Sequence, residues 1–156
     1  MSTPEQNQPQ FLLQRIYLKD VSFEAPHTPE IFLVNWQPKV DIELQTSSQS
    51  LNPETYEVVV FVTVTAKVEE KVAFIVEIKQ AGIFSITGIP EEQTKQVLGS
   101  TCPNILFPYI REAISDLVTK GSFPQLLIEP INFEALYQQQ QLQQQNPPAA
   151  EAETTH

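Results

Sequence analysis

The sequence predicts an α+β protein in which a four-stranded antiparallel sheet precedes the helices. Three observations carry that expectation. Before Gly88 the chain holds four runs rich in β-branched and aromatic residues, several with a period of two. After Gly88 the apolar spacing becomes helical. Between the first and second runs, Pro26, Pro29 and Pro38 punctuate "APHTPEIFLVNWQP", which reads as a long crossover instead of a tight hairpin.

Each element follows in order. "MSTPEQNQP" (1–9) is polar and proline-containing, an expected disordered tail. "FLLQRIYLKDVSF" (11–23) is the first strand. One of its rows is Phe11, Leu13, Arg15, Tyr17, Lys19, Val21 and Phe23, and the other ends Asp20, Ser22, Glu24. "KVDIELQ" places Val40, Ile42 and Leu44 on one side, with Asp41, Glu43 and Gln45 on the other. "TYEVVVFVTVTAKV" is apolar on both faces, as a doubly covered central strand is. "EEK" turns the chain into "VAFIVEIKQAGIFSI", where Gly82 is expected to mark a bulge or bend.

"PEEQTKQVLG" reads as a short helix with acidic residues in its first turn. Pro108 would break a helix begun at Pro103, so the next regular helix is expected to start at Pro108 and to end at Gly121. Ile110, Ala113, Ile114, Leu117 and Val118 recur along it at i, i+3, i+4, i+7 and i+8. "SFPQLLIEPI" is extended, and Asn132 can cap a last helix, "FEALYQQQQLQQQ". One domain over residues 10–145 is expected, followed by a disordered acidic tail over 146–156.

The bulk numbers narrow the function. At 156 residues and 41% hydrophobic the chain can build one core. Its net charge of −10 disfavours nucleic acid and anionic membrane surfaces and favours a basic protein partner. One cysteine excludes an internal disulfide and a Cys-rich metal site. "MSTPEQNQPQ" has neither a basic segment nor an apolar core, so no secretory signal is expected. No apolar run approaches the ~20 residues of a membrane span. A cytoplasmic protein with no direct membrane insertion follows.

Catalysis finds little to build on. A nucleophilic Cys102 needs a base, and the only histidines are His27, in the proline-rich crossover, and His156. No cation adjoins Cys102 to activate it, so a structural cysteine is the better reading. Four unclustered glycines make no phosphate-cradling loop, and no H-x-x-x-H or C-x-x-C pair suggests a metal. Asp20 and Glu24 share a face, but four strand residues separate their backbones by ~13 Å, against ~5–9.5 Å between the carboxyls of a glycosidase pair. The expectation is no enzyme, no cofactor and no metal.

"RIYLKDVSFEAP" (15–26), "WQP" (36–38), "YEVVVFVTVTA" (56–66), "QAGIFSITGI" (80–89), "CPNILFPYIRE" (102–112) and "FPQLLIEPINFEALY" (123–137) resemble SecB, the bacterial protein-export chaperone family. The resemblance runs in order through about residues 11–137, and "CPNILFPY" followed by "GSFPQL" is its most specific part.

That resemblance implies an ATP-independent holdase, assembled as a homotetramer (a dimer of dimers). Such a chaperone binds unfolded precursor proteins in hydrophobic grooves and delivers them to the SecA motor ATPase. It implies that SecA is bound by an acidic pair in the first strand and an apolar-x-acidic pair in a later one, which match Asp20, Glu24, Ile75 and Glu77. Parity is consistent with one shared face, since Asp20 and Glu24 alternate together and so do Ile75 and Glu77. Ile75 stands where leucine is frequent.

Candidates for the groove are Phe23, Trp36, Val40, Ile42, Leu44, Tyr56, Phe74, Leu136 and Tyr137, each with plain core packing as its competing explanation. The apolar arc of helix 108–120, roughly 140° against ~100° for a minimal stripe, is compatible with full cover by its own sheet. With the resemblance, Ile110, Ala113, Ile114, Leu117 and Val118 are expected at the subunit interface. A SecB-like chaperone dedicated to an antitoxin, a hydrophobic-ligand carrier and a carboxylate hydrolase remain alternatives on the residues alone.

Overall fold

The computed structural model describes residues 8–145; most of the 1–9 tail and all of the 146–156 tail lie outside them. Strands β1 (Gln10–Glu24), β2 (Lys39–Asn52), β3 (Thr55–Val68) and β4 (Lys71–Thr87) form one antiparallel sheet in the order β1-β4-β3-β2. The strands β2, β3 and β4 are joined by two-residue turns, and β1 lies beside β4, a Greek-key arrangement. Since β1 and β2 are opposite edges, residues 25–38 must carry the chain across the sheet, which explains the length of the crossover. Ile31, in a 3-10 turn at Glu30–Leu33, anchors it in the core.

Alternation in β3 and β4 assigns the two faces. The row Val58, Val60, Val62 and Val64 and the row Phe74, Val76, Ile78 and Phe84 are buried under the helices. The opposite face carries Glu57, Phe61, Thr63, Ile75, Glu77 and Lys79.

In β1 the register slips at Gln14 and again at Lys19. Each slip is a β-bulge that inserts one residue and reverses the parity beyond it. Phe11, Leu13, Ile16, Leu18, Val21 and Phe23 therefore pair across from the helix-side row, while Arg15 and Tyr17 pair on the other. Unbroken alternation had put Arg15 and Lys19 among the apolar residues; the bulges remove that conflict. The buried Gln80 amide donates to the Tyr17 carbonyl at 3.0 Å beside the second bulge, so the local loss of ladder pairing leaves no buried side-chain polar atom unpartnered among the described residues.

Gly82 is not the bulge that its position in the strand implied. A Cβ there would meet Leu106 Cδ2 and Phe84 Cε1 at 2.9 Å, so the glycine serves the close approach of a helix to β4.

The helical segment also departs from expectation. Helix α1 (Glu91–Gln96) runs through a π-turn at Val97–Thr101 directly into α2 (Cys102–Lys120), which contains Pro108. Proline forfeits one bond, to the carbonyl of Asn104, and both residues are exposed, so water can satisfy that oxygen. On the opposite side Leu106, Phe107, Ile110, Ile114 and Val118 are buried, each contributing about 1.5–3 kcal/mol. That burial outweighs the lost bond. Residues 122–132 are irregular, and α3 (Phe133–Gln145) begins with the Ala135 N–H donating to Asn132 Oδ1 at 3.0 Å, the cap read from the sequence.

Candidate functional site

On the sheet face away from the helices, cross-strand pairing builds an acidic surface. Glu24 lies opposite Ile75, Ser22 opposite Glu77 and Asp20 opposite Lys79. Ile75 and Glu77 continue across Thr65 and Thr63 of β3 to Asp41 and Glu43 of β2. Residues directly opposite share a face. Asp20, Glu24, Ile75 and Glu77 thus come together, joined by two carboxylates that the sequence reading left out. All five carboxylates are exposed, and none forms an ion pair among the described residues.

Two of the cations beside this patch are engaged elsewhere. Lys79 lies over the Phe61 ring, 5.3 Å from its centroid. Lys19, beside Asp20, points to Glu57 and donates to both its oxygens at 3.0 Å. Glu57 also accepts from the Tyr17 hydroxyl, and from Gln49 Nε2 at 2.9 Å. These donors, the Tyr17 hydroxyl foremost, hold its carboxyl below the usual carboxylate range against the opposing effect of burial. Burial first, and then Glu57, push the Tyr17 hydroxyl up to about 12. The carboxylate sits in a shallow bowl of about 350 Å³ whose lining includes Gln45, Gln49, Val59 and Phe61.

The helix side presents apolar surface. Phe32 and Trp36 of the crossover pack on Phe123 at 5.3 and 5.5 Å between ring centroids, Phe123 packs on Phe74 at 5.1 Å, and Phe74 stacks on Phe23 at 6.1 Å. This chain of rings runs from the surface into the core. Phe32 is exposed, Trp36 and Phe23 are half-buried, and Phe74 is only 1% exposed. Along the β2 edge Val40 and Ile42 are each 40% exposed, while Leu44 and Tyr56 are half-buried against the core. Leu136 and Tyr137 are half-buried on α3, where the Tyr137 ring lies against Gly99.

Among the described residues no nucleophile and base come together. Cys102 is fully buried, and burial pushes its thiol up to about 12. The Nδ1 of His27 sits 3.0 Å from the Val72 carbonyl. No cluster of three or more metal-ligating side chains occurs among the described residues, and none of their helices is long and apolar enough to cross a membrane.

The family described as preprotein translocase subunit SecB matches residues 4–145. The chain belongs to the SecB family. A protein-export protein SecB of Alcanivorax borkumensis is 56% identical over 96% of this chain and 98% of its own. One of Marinobacter nauticus is 55% identical over 97% and 93%, and one of Methylococcus capsulatus 54% over 93% and 95%. A SecB-like chaperone of Mycobacterium tuberculosis, solved with a peptide of the HigA1 antitoxin, shares the fold. Its TM-score is 0.65 at 18% identity, over 78% of this chain and 90% of that one. SecB is a chaperone family of protein export and not an enzyme family, and this chain is a SecB chaperone.

Two groups of residues expected from the sequence lie deeper in this SecB chain than that reading implies. Phe74 is core, closed beneath Phe23 and Phe123, and has almost no surface for a client. Ile110, Ile114 and Val118 are completely buried within one chain by its own sheet, so of the five residues expected at a subunit interface only Ala113 and Leu117 keep surface. Sequence reasoning missed Phe32, Leu33 (88% exposed) and Phe123 on the apolar side, and Glu57 on the other. The run "EIFLV" inside the crossover was an available signal for the first two. Glu57 had none, because its partners come from β1 and β2.

Proposed function

We propose that this SecB chain is an ATP-independent holdase that captures precursor proteins in their unfolded state in the cytoplasm and delivers them to the SecA motor. The observation that carries the reading is the separation of two unlike surfaces on opposite sides of one sheet. Asp20, Glu24, Ile75 and Glu77 form the SecA-docking surface on the side away from the helices. Phe23, Trp36, Val40, Ile42, Leu44, Tyr56, Leu136 and Tyr137 line the client grooves, with Phe32 and Leu33 added. A client can then remain bound while the motor docks, so transfer needs no release into solution.

The physics of each surface suits its role. A holdase must accept many sequences, and apolar surface does so at ~25 cal/mol per Å² buried, less the cost of ordering the client. The β2 edge can add backbone hydrogen bonds that ignore sequence. The acidic face steers a basic partner and loses strength in salt.

Assembly as a homotetramer, a dimer of dimers, multiplies the grooves and raises affinity by avidity. The edge strand β1, with Leu13, Leu18 and Val21 exposed on its helix side, is a surface that needs cover, and Ala113 and Leu117 of α2 join it as self-association candidates.

Glu24→Lys or Glu77→Lys is expected to abolish SecA binding while client binding persists. Binding of SecA to both variants with normal affinity, measured by titration calorimetry, would refute the assignment.

A further inference from the structure

The acidic face has a feature that its carboxylates alone do not explain: the two lysines beside it are turned away. Lys79 is directly across from Asp20 yet lies on the Phe61 ring. Lys19 is the next residue to Asp20, and the bulge at Lys19 brings it to the same face, but its ammonium is bidentate on Glu57. Glu57 is fixed in turn by the Tyr17 hydroxyl and by Gln49, so donors from two other strands, β1 and β2, hold one carboxylate. The remaining lysines of this face, Lys39 and Lys67, pair opposite each other at its end, and Arg15 lies opposite Ile83, on the far side of Lys19 from the acidic patch.

We propose that Glu57 is a positioning residue for docking: by retaining Lys19 it keeps the Asp20, Glu24 and Glu77 carboxylates free of internal compensation and available to a basic partner surface. The proposal rests on the reading of that face as the SecA-docking surface. Glu57 contributes little to the patch by its own charge. Its backbone is four residues along β3 from Phe61, the residue level with Asp20, and β3 is two strands from β1. The separation is roughly 16 Å, about twice the ~8 Å over which exposed charges act at physiological salt. Its effect therefore runs through Lys19. Released, that side chain has Asp20 as its nearest carboxylate on the same face, and an Asp20–Lys19 pair would neutralise the first member of the docking set.

The test is a double-mutant cycle of Glu57→Gln and Lys19→Met, read by SecA affinity at low and physiological salt. Glu57→Gln keeps the shape of the side chain and is expected to weaken SecA binding roughly two- to fivefold, the scale of one exposed ion pair. In the Lys19→Met background the same substitution is expected to do nothing, and the double variant has the net charge of the parent. An equal loss in both backgrounds, as overall charge or damage to the sheet would produce, overturns the proposal, and so does no loss in either.

A second readout does not involve SecA. The carboxyl carbon-13 shift of Asp20 is expected to respond to Lys19→Met only when Glu57 is Gln. If it responds equally with Glu57 present, the sorting of charge is wrong even where SecA docking stands. Normal SecA affinity of Glu24→Lys and Glu77→Lys would instead remove the docking role, whatever Asp20 reports.

Discussion

Cys102 shows how much a single side chain can say once its surroundings are known. Its thiol is pushed up to about 12 from an ordinary 9.0 because the thiolate would be buried without a partner. Below pH 9 the thiol is neutral whether the chain is folded or not. Above it the unfolded chain ionises first, so stability falls as pH rises from 9 toward 12. The stability advantage of the parent over Cys102→Ala is therefore expected to shrink between pH 8.5 and 10.5, by up to about 1.4 kcal/mol per pH unit, in chemical denaturation series. A constant difference would place the thiol in a polar setting. The sequence anticipated the inert cysteine, since no base or cation adjoins it. It did not anticipate Glu57, whose significance depends on Tyr17, Lys19 and Gln49 arriving from other strands.

Elements were legible where one period ran unbroken. The strands β2, β3 and β4 and the spacing of Ile110, Ile114 and Val118 all appear in the fold, because each depends on a local run of residues facing one core. The two bulges of β1 and the π-turn before α2 were not legible, since each inserts a residue that only pairing or packing across the sheet can justify. Pro108 misled for a related reason: propensity counts the lost hydrogen bond and not the burial on the far side of the helix.

The end of α2 offers a test at this scale. Gly121 has an ordinary φ of −77° and is small because a Cβ would run into the Phe23 ring, whereas Ser122 holds the left-handed conformation at φ 70°. Ser122→Gly is expected to stabilise the chain by about 1 kcal/mol, and Gly121→Ala to destabilise it by about 1–3 kcal/mol, in equilibrium unfolding. The reverse order would mean that the glycine is there to end the helix.

At the scale of the whole molecule the two sides of one sheet carry unlike surfaces. The helix side closes a core around Phe74, Ile78, Leu106 and Ile110 and leaves aromatic and aliphatic surface at the crossover and along β2. The opposite side carries unpaired carboxylates at one end and the Glu57 network at the other. The resemblance to SecB singled out Asp20, Glu24, Ile75 and Glu77, and parity within β1 and β4 was consistent with the shared face on which they lie. The exposed apolar surface was only partly readable, because exposure of an aromatic residue depends on what the rest of the chain happens to cover. Trp36 and Phe74 are both aromatic residues in apolar surroundings, yet one keeps surface and the other is sealed.

The central claim is that this chain recognises the unfolded state of its clients. It is tested most directly by titrating the full chain, without nucleotide, against one precursor in its unfolded form and against the folded mature form of the same protein. Tight binding to the unfolded form alone is the predicted result. Equal binding to both forms, or to neither, would contradict the account.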